Sequence, residues 1–467
     1  MIRRTLLLLA GACLMAPGAL PYIRVKNRAG VATSRTDYAN IQFLLNQNFV
    51  AGFTNNDGTV NLTPDTDVMG ALNGALAAWS SIPTGAVQFL PVQPTSLLND
   101  PSDGQDVIVM ADTPAIRSAL GPVLAATTAV NSFRATGIIF DTDIIFNPVL
   151  TFSSTSVPNT FDLQSVFTAT LGFALGEQNS AVIASSVSNF IRPGETFRQI
   201  LSPDDIAFVS GLYPAPGSTG YGTLGGSLTL NGSPLRNALI TAVDASGSGT
   251  VISTLTSEQD GTWSVAVPAG NYLVYTQPVV AAQDLPLGLP SDAILPSYIG
   301  LQLGVNVIDT NFDPSFLGGN GSSATVTVIG GAASDASFSP APAGSTQVVT
   351  LLDIAAVPVG GTGNITIGRP VATQLVSGQS YDFVIQGLAI DSTLAESGIQ
   401  FLGPVNLRPG TLTVFGPPLN VNGNSFAFVR FTVDVPAVSA QTVATLILSN
   451  NGGFTTYTGG IVVLPPQ

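Results

Sequence analysis

The stretch from residue 166 to 180, VFTATLGFALGEQNS, constrains this chain more than any other. An apolar run passes through Gly172 and Ala174-Leu175, stops at Gly176 and gives way to a polar tail ending at Ser180. No histidine occurs anywhere in the 467 residues, so no imidazole can complete a site on this helix from elsewhere in the chain. Serine catalysis needs a base, and without histidine that role falls to lysine or a carboxylate. Lys26 is the only lysine and has no S-x-x-K pattern around it.

The segment resembles the zinc-binding helix of the metzincin peptidases, specifically the matrixin-like group with its H-E-x-x-H-x-x-G-x-x-H pattern. There two His one turn apart hold zinc, the Glu activates water, and a Gly lets a third His reach the metal. The resemblance implies that these places fall on Ala169, Thr170 (the general base), Phe173, Gly176 and Asn179. The family's later Met-turn falls near Val187, so its Met is absent too. The flanks support the likeness. GIIFDTDIIFNP (137–148) resembles the strand before the active helix, and LSPDDIAFVSGLYP (201–214) resembles the closing helix with its Leu-Tyr-Pro exit.

What the resemblance implies is therefore an α/β metzincin-like fold without its chemistry. The nearest carboxylates, Glu177 and Asp162, stand where the family binds no metal. Zinc is not expected, and no other cofactor is. Calcium enters through the same likeness, because matrixin acids near a Phe-Asp-x-Asp stretch hold structural calcium and Phe140-Asp141-Thr142-Asp143 is similar. Asp141 and Asp143 are then the candidate ligands. Against them stands the plainer expectation of a buried strand with one exposed and one capped Asp, since Ca²⁺ needs at least roughly six oxygens.

Compartment and partners follow from composition. Met1-Ile2-Arg3-Arg4, an apolar run and small residues at Ala16-Pro17-Gly18-Ala19 read as a signal peptide over residues 1–19. The single cysteine, Cys13, lies within it, and lipidation there is the alternative. A net charge of −14 excludes a nucleic-acid partner, since phosphate contacts need clustered cations. No stretch is long and apolar enough for a transmembrane segment. The product is read as a secreted, bacterial, extracellular protein.

Residues 20–215 hold the convincing helices. Thr63-Pro64-Asp65 predicts a helix start, followed by a buried face of Val68, Leu72, Ala75, Leu76 and Trp79. A second helix is predicted from about Asp162, and Ser202 with Asp205 reads as a capping box for the last. Asp106 to Ala111 and residues 137–146 read as strands buried on both faces. Residues 216–315 are all β, with turns at Asn231-Gly232, Asp260-Gly261 and Ala269-Gly270. They resemble a carboxypeptidase regulatory-like module, a prealbumin-like sandwich with a hairpin at DGTWSV and with Trp263 and Tyr272 in its core. A Gly/Ser-rich linker is expected at 316–323. Residues 324–467 weakly resemble a bacterial immunoglobulin-like module, either one sandwich or two divided near Pro370.

The functional expectation is a secreted pseudoenzyme, not an enzyme, with a binding, adhesion or scaffolding role. Its partner is an extracellular protein, peptide or glycan. The runner-up is a zinc metalloendopeptidase-family protein with residual or unrecognised activity.

Overall fold

The computed structural model describes residues 22–100, 103–121, 124–155, 157–188, 191–279, 307–319, 324–345, 349–361, 372–421 and 424–466. The predicted signal peptide, Cys13 and Pro370 lie outside them. Sheets dominate, with four α-helices among the described residues.

The first unit is a mixed α/β layer structure. Strands β1 (Phe43–Asn46), β2 (Gln93–Thr95), β3 (Asp106–Met110), β4 (Ala126–Ser132) and β5 (Ile139–Phe146) form one sheet in the order β2-β1-β3-β5-β4. All pairs are parallel except β4 with β5, which places an antiparallel strand at the edge. The inner strands β3 and β5 are buried almost throughout, as their continuous apolar runs predict. Helices α1 (Val68–Ser80) and α3 (Leu163–Ala174) cover one face, and α2 (Pro114–Leu120) packs on the other. The short strands β6 (Phe152–Ser153) and β7 (Phe161–Asp162) pair just ahead of α3, and α4 (Pro203–Leu212) ends the unit.

The predicted apolar face of α1 is buried, with Trp79 fully enclosed. Its indole N–H donates to the Thr168 carbonyl on α3 at 2.9 Å. The predicted start of α1 is displaced. Asp67, not Thr63, is the cap, accepting from the Gly70 N–H at 2.8 Å, while Thr63 closes a preceding turn with the Thr66 N–H. An acceptor directly ahead of the apolar repeat reaches the free N–H groups that one four residues earlier cannot. At α4 the predicted capping box is present on both sides, Ser202 with Asp205.

The second unit holds β8 (Tyr221–Ser227), β9 (Thr229–Leu230), β10 (Ser233–Pro234), β11 (Leu239–Asp244), β12 (Val251–Leu255), β13 (Thr262–Pro268) and β14 (Gly270–Gln277). Also in it are β15 (Ser315–Phe316), β16 (Thr325–Val328) and β17 (Ala333–Asp335). One sheet runs β12-β11-β14-β15 with β16 also on β14, and the other runs β13-β8-β17. Trp263 and Tyr272 are core residues as predicted. Asn231 and Gly232, both at positive φ, join the β9–β10 hairpin. The hairpin predicted at DGTWSV does not form: β13 pairs with β8 and β12 with β11, so this turn crosses between sheets. Residues 320–323 of the expected linker lie outside the described residues; on either side of them β15 and β16 both pair with β14, and β17 pairs with β8, so the second unit includes strands beyond 323.

The third unit is one sandwich rather than two. Strands β18 (Thr350–Pro358), β19 (Thr373–Val376), β20 (Ser380–Leu388), β21 (Ile399–Leu402), β22 (Asn406–Leu407), β23 (Thr413–Val421), β24 (Asn424–Asp434), β25 (Thr442–Asn450) and β26 (Gly453–Leu464) make two sheets. One is β18-β20-β24-β22 with β23 on β24, the other β19-β26-β25-β21, and one apolar cluster fills both. The units are not separate beads. A single apolar cluster extends from α1, α3 and α4 into the second unit. Another joins Val182 and Phe197 to Tyr275 and Phe454 of the second and third.

Candidate functional site

Helix α3 is positioned by its two ends. Asp162 caps the first turn, accepting from the Ser165 N–H at 2.7 Å, and both its oxygens also accept from Gln199 Nε2 at 3.0 Å. At the other end the buried Arg35 donates to the Ala174 carbonyl at 3.0 Å and to Asp106 of β3 at 2.6 Å, tying helix to sheet. Gly176 then turns the chain at φ +95°, and an added Cβ there would meet the Thr33 carbonyl at 3.0 Å. Its own carbonyl accepts from the Val25 N–H at 2.9 Å, so the exit of α3 docks on the segment that begins the described chain.

The four positions singled out in the sequence separate. Ala169 is 2% exposed and Thr170 4%. The Thr170 hydroxyl is turned back on its own helix, donating toward the Val166 and Phe167 carbonyls at 2.9 and 3.1 Å. Phe173 is half-buried and lines an open groove of about 680 Å³. Asn179 lies half-buried beyond the Gly176 turn, its N–H donating to Gln178 Oε1 at 3.0 Å. Val187 is fully buried under α3, where a Cβ on Gly172 would fall 2.2 Å from it. A methyl, a hydroxyl spent on its helix, a phenyl ring and an amide make no zinc site. The donor set does not fit that metal.

Asp141 and Asp143 do share a face of β5, but the expectation of one exposed and one capped Asp fails, since both are 0% exposed. Asp141 accepts from the Gly104 N–H at 2.9 Å and from Asn131 Nδ2 at 3.3 Å, whereas the Asp143 carboxyl has only the Val107 N–H near it among the described residues, without a well-aligned hydrogen bond. Burial, reinforced by the charge of Asp141, pushes the Asp143 carboxyl up to about 7. Two carboxylates fall short of the roughly six to eight oxygens that Ca²⁺ takes. No third acidic ligand joins them among the described residues. The residues do not fit a calcium site.

The groove is what the sequence did not reveal. One wall is β4, which among the described residues pairs only with β5 and so presents a free edge. The other is residues 25–28, and Phe173 and Gln178 close the floor. Asn27 links the walls at one end, its side-chain amide donating to the Phe133 and Arg134 carbonyls, both at 3.2 Å. Three cations, Lys26, Arg28 and Arg134, line it with no acid, in a chain with 14 cations and 28 acids. Lys26 pairs with Glu258 at 2.8 Å. Arg28 and Arg134 are exposed and carry no ion pair among the described residues. Their scarcity, each within three residues of a turn glycine (Gly30, Gly137), is the signal the sequence did contain.

On the opposite side of the same turn, Glu177, Asp204 and Asp205 are buried where the first unit meets β12 and β13. Asp205 accepts from Ser185 Oγ at 2.6 Å, the Ser202 N–H at 2.7 Å and the Ser186 N–H at 3.0 Å. Asp204 accepts from the Ser253 N–H of β12 at 2.8 Å and from the Ser180 hydroxyl. Burial holds Asp204 up at about 7, with the Asp205 charge adding to it. Burial, then the charges of Asp205 and Asp204, raises Glu177 well above the usual carboxylate range, and its Oε2 has no partner.

No protein-family model matches the chain, and no curated protein does. Among solved structures it is similar to a variant of BcpA, the major pilin subunit of Bacillus cereus. Identity is 13%, with 52% of this chain and 69% of that chain covered at a TM-score of 0.14. It is also similar to the full-length major pilin SpaD of Corynebacterium diphtheriae, at 11% identity, 51% and 64% coverage and a TM-score of 0.14. Among the described residues no helix is long and apolar enough to cross a membrane.

Proposed function

We propose that the chain is a secreted, non-catalytic protein on a matrixin-like metallopeptidase fold, with the groove beside α3 as an extracellular peptide-binding site. The observation that carries this is the groove itself: a free strand edge beside α3, with an aromatic ring where the resemblance puts a zinc ligand. A free edge offers backbone donors and acceptors to an extended chain, and Val25, Val130 and Phe173 add apolar contact within an otherwise polar lining. The order of strand β5, helix α3, Gly turn, buried Val187 and capped α4 agrees with the order of parts the resemblance implies. The two β units then space or present the first.

The test combines metal analysis with a casein assay, with and without chelator. No bound zinc and no cleavage are expected. One zinc per chain with chelator-sensitive cleavage overturns the reading and restores the residual-peptidase alternative. Replacing Ala169→His, Thr170→Glu, Phe173→His and Asn179→His together should create zinc uptake measurable by competition with a chromogenic chelator. A folded variant that takes up none would argue against the matrixin-like frame.

A further inference from the structure

We propose that Arg28 and Arg134 form an anion clamp at the mouth of the groove, selecting extended peptides that carry an acidic side chain. This rests on the peptide-binding reading of the groove. Asn27 bridges to the Arg134 backbone, which brings the turn bearing Arg28 against the hairpin bearing Arg134. That turn is itself fixed, with Asn27 Oδ1 accepting from the Ala29 and Val31 N–H groups at 2.9 and 3.1 Å. Neither guanidinium meets a carboxylate within the described residues, a condition shared there with Arg24, which donates to the Thr33 carbonyl at 3.0 Å, and Arg192, neither of which lines the groove. An acidic protein that leaves two arginines unpaired beside an acid-free groove is complementary to an anion at that point.

Chemistry narrows the occupant. Guanidinium binds carboxylate through paired, charge-assisted hydrogen bonds. Next to Arg134, Phe133 packs on Phe140 with centroids 4.8 Å apart, and both rings are exposed. The favoured ligand is an extended segment with a Glu or Asp flanked by an apolar residue.

The test uses the full chain and fluorescein-labelled nonapeptide libraries of randomised Val, Thr, Ser and Leu with a central Glu-Glu or Gln-Gln. Fluorescence anisotropy should show at least tenfold tighter binding of the Glu library at low salt, with the advantage shrinking at about 0.5 M salt. Arg28→Glu with Arg134→Glu should erase or invert the preference while leaving the melting temperature unchanged, as expected of exposed positions. Equal binding of both libraries overturns the clamp and leaves the groove reading standing. Binding of neither library at about 1 mM overturns both.

Discussion

Two polar regions lie back to back around the turn at Gly176. In the groove, Lys26 is paired with Glu258, while Arg28 and Arg134 are exposed and without an ion pair among the described residues. At the seam, carboxylates are buried, crowded together and shut between two units of the fold. The groove's polarity can be changed without touching a core, so it is suited to selecting partners. The seam's polarity is part of the packing, so it sets when the units hold together. Similar side-chain chemistry takes opposite roles because water reaches one region and not the other.

The largest expected effect separates them by pH. Asp204 binds its proton more tightly in the folded protein, so its contribution is fully present below its ordinary value of 3.8 and lost as pH rises to about 7. Glu177, held well above the usual carboxylate range by burial and then by the charges of Asp205 and Asp204, contributes with the same sign. Stability in urea should therefore fall on going from pH 4 to 8, by up to about 4 kcal/mol at about 1.36 kcal/mol per tenfold change in proton affinity. Glu177→Gln and Asp204→Asn should each flatten that slope. An unchanged slope in both would dissolve the distinction between the regions.

Next in size, Asp205→Ala removes the capping box and strands donors from Ser185, Ser186 and Ser202. A loss of about 3 kcal/mol is expected by chemical unfolding. A loss below about 1 kcal/mol would mean the seam is wetter than its burial says. Phe173→Ala should cost only about 1 kcal/mol of stability, since the ring is half-buried, yet weaken library binding several-fold. Binding that survives the change would move the peptide off the groove floor. The smallest effect belongs to Arg134→Ala, expected within about 0.5 kcal/mol of the parent in thermal melts. A clear destabilisation there would show that the cation is structural.

What was legible in the sequence was local. The capping box at Ser202 and Asp205, the start of α3 at Asp162 and the buried face ending at Trp79 each depend on residues within a few positions of one another. What escaped depended on return of the chain. The Gly/Ser-rich run near 317–323 has the composition of a linker, but strand pairing with β14 comes from distant residues and overrides it. The Asp260-Gly261 turn looks like a hairpin because the residues fit one, while the partner of β13 lies some forty positions earlier, in β8. The groove is the extreme case. Arg28 and Arg134 are 106 positions apart, and the Asn27 side chain, bonded to the Phe133 and Arg134 carbonyls, brings their turns together.

The glycine that ends α3 has one more consequence. It is followed by Glu177, whose carboxyl enters the seam, and then by Gln178, which lines the groove. Consecutive residues of one turn thus carry the proton site and the proposed peptide site. Coupling between two binding events is reciprocal, so any pH dependence of peptide affinity must equal the protons that the peptide drives on or off. Calorimetry in buffers of different ionisation heat would read that exchange directly, with the turn as a lever whose fulcrum is Gly176.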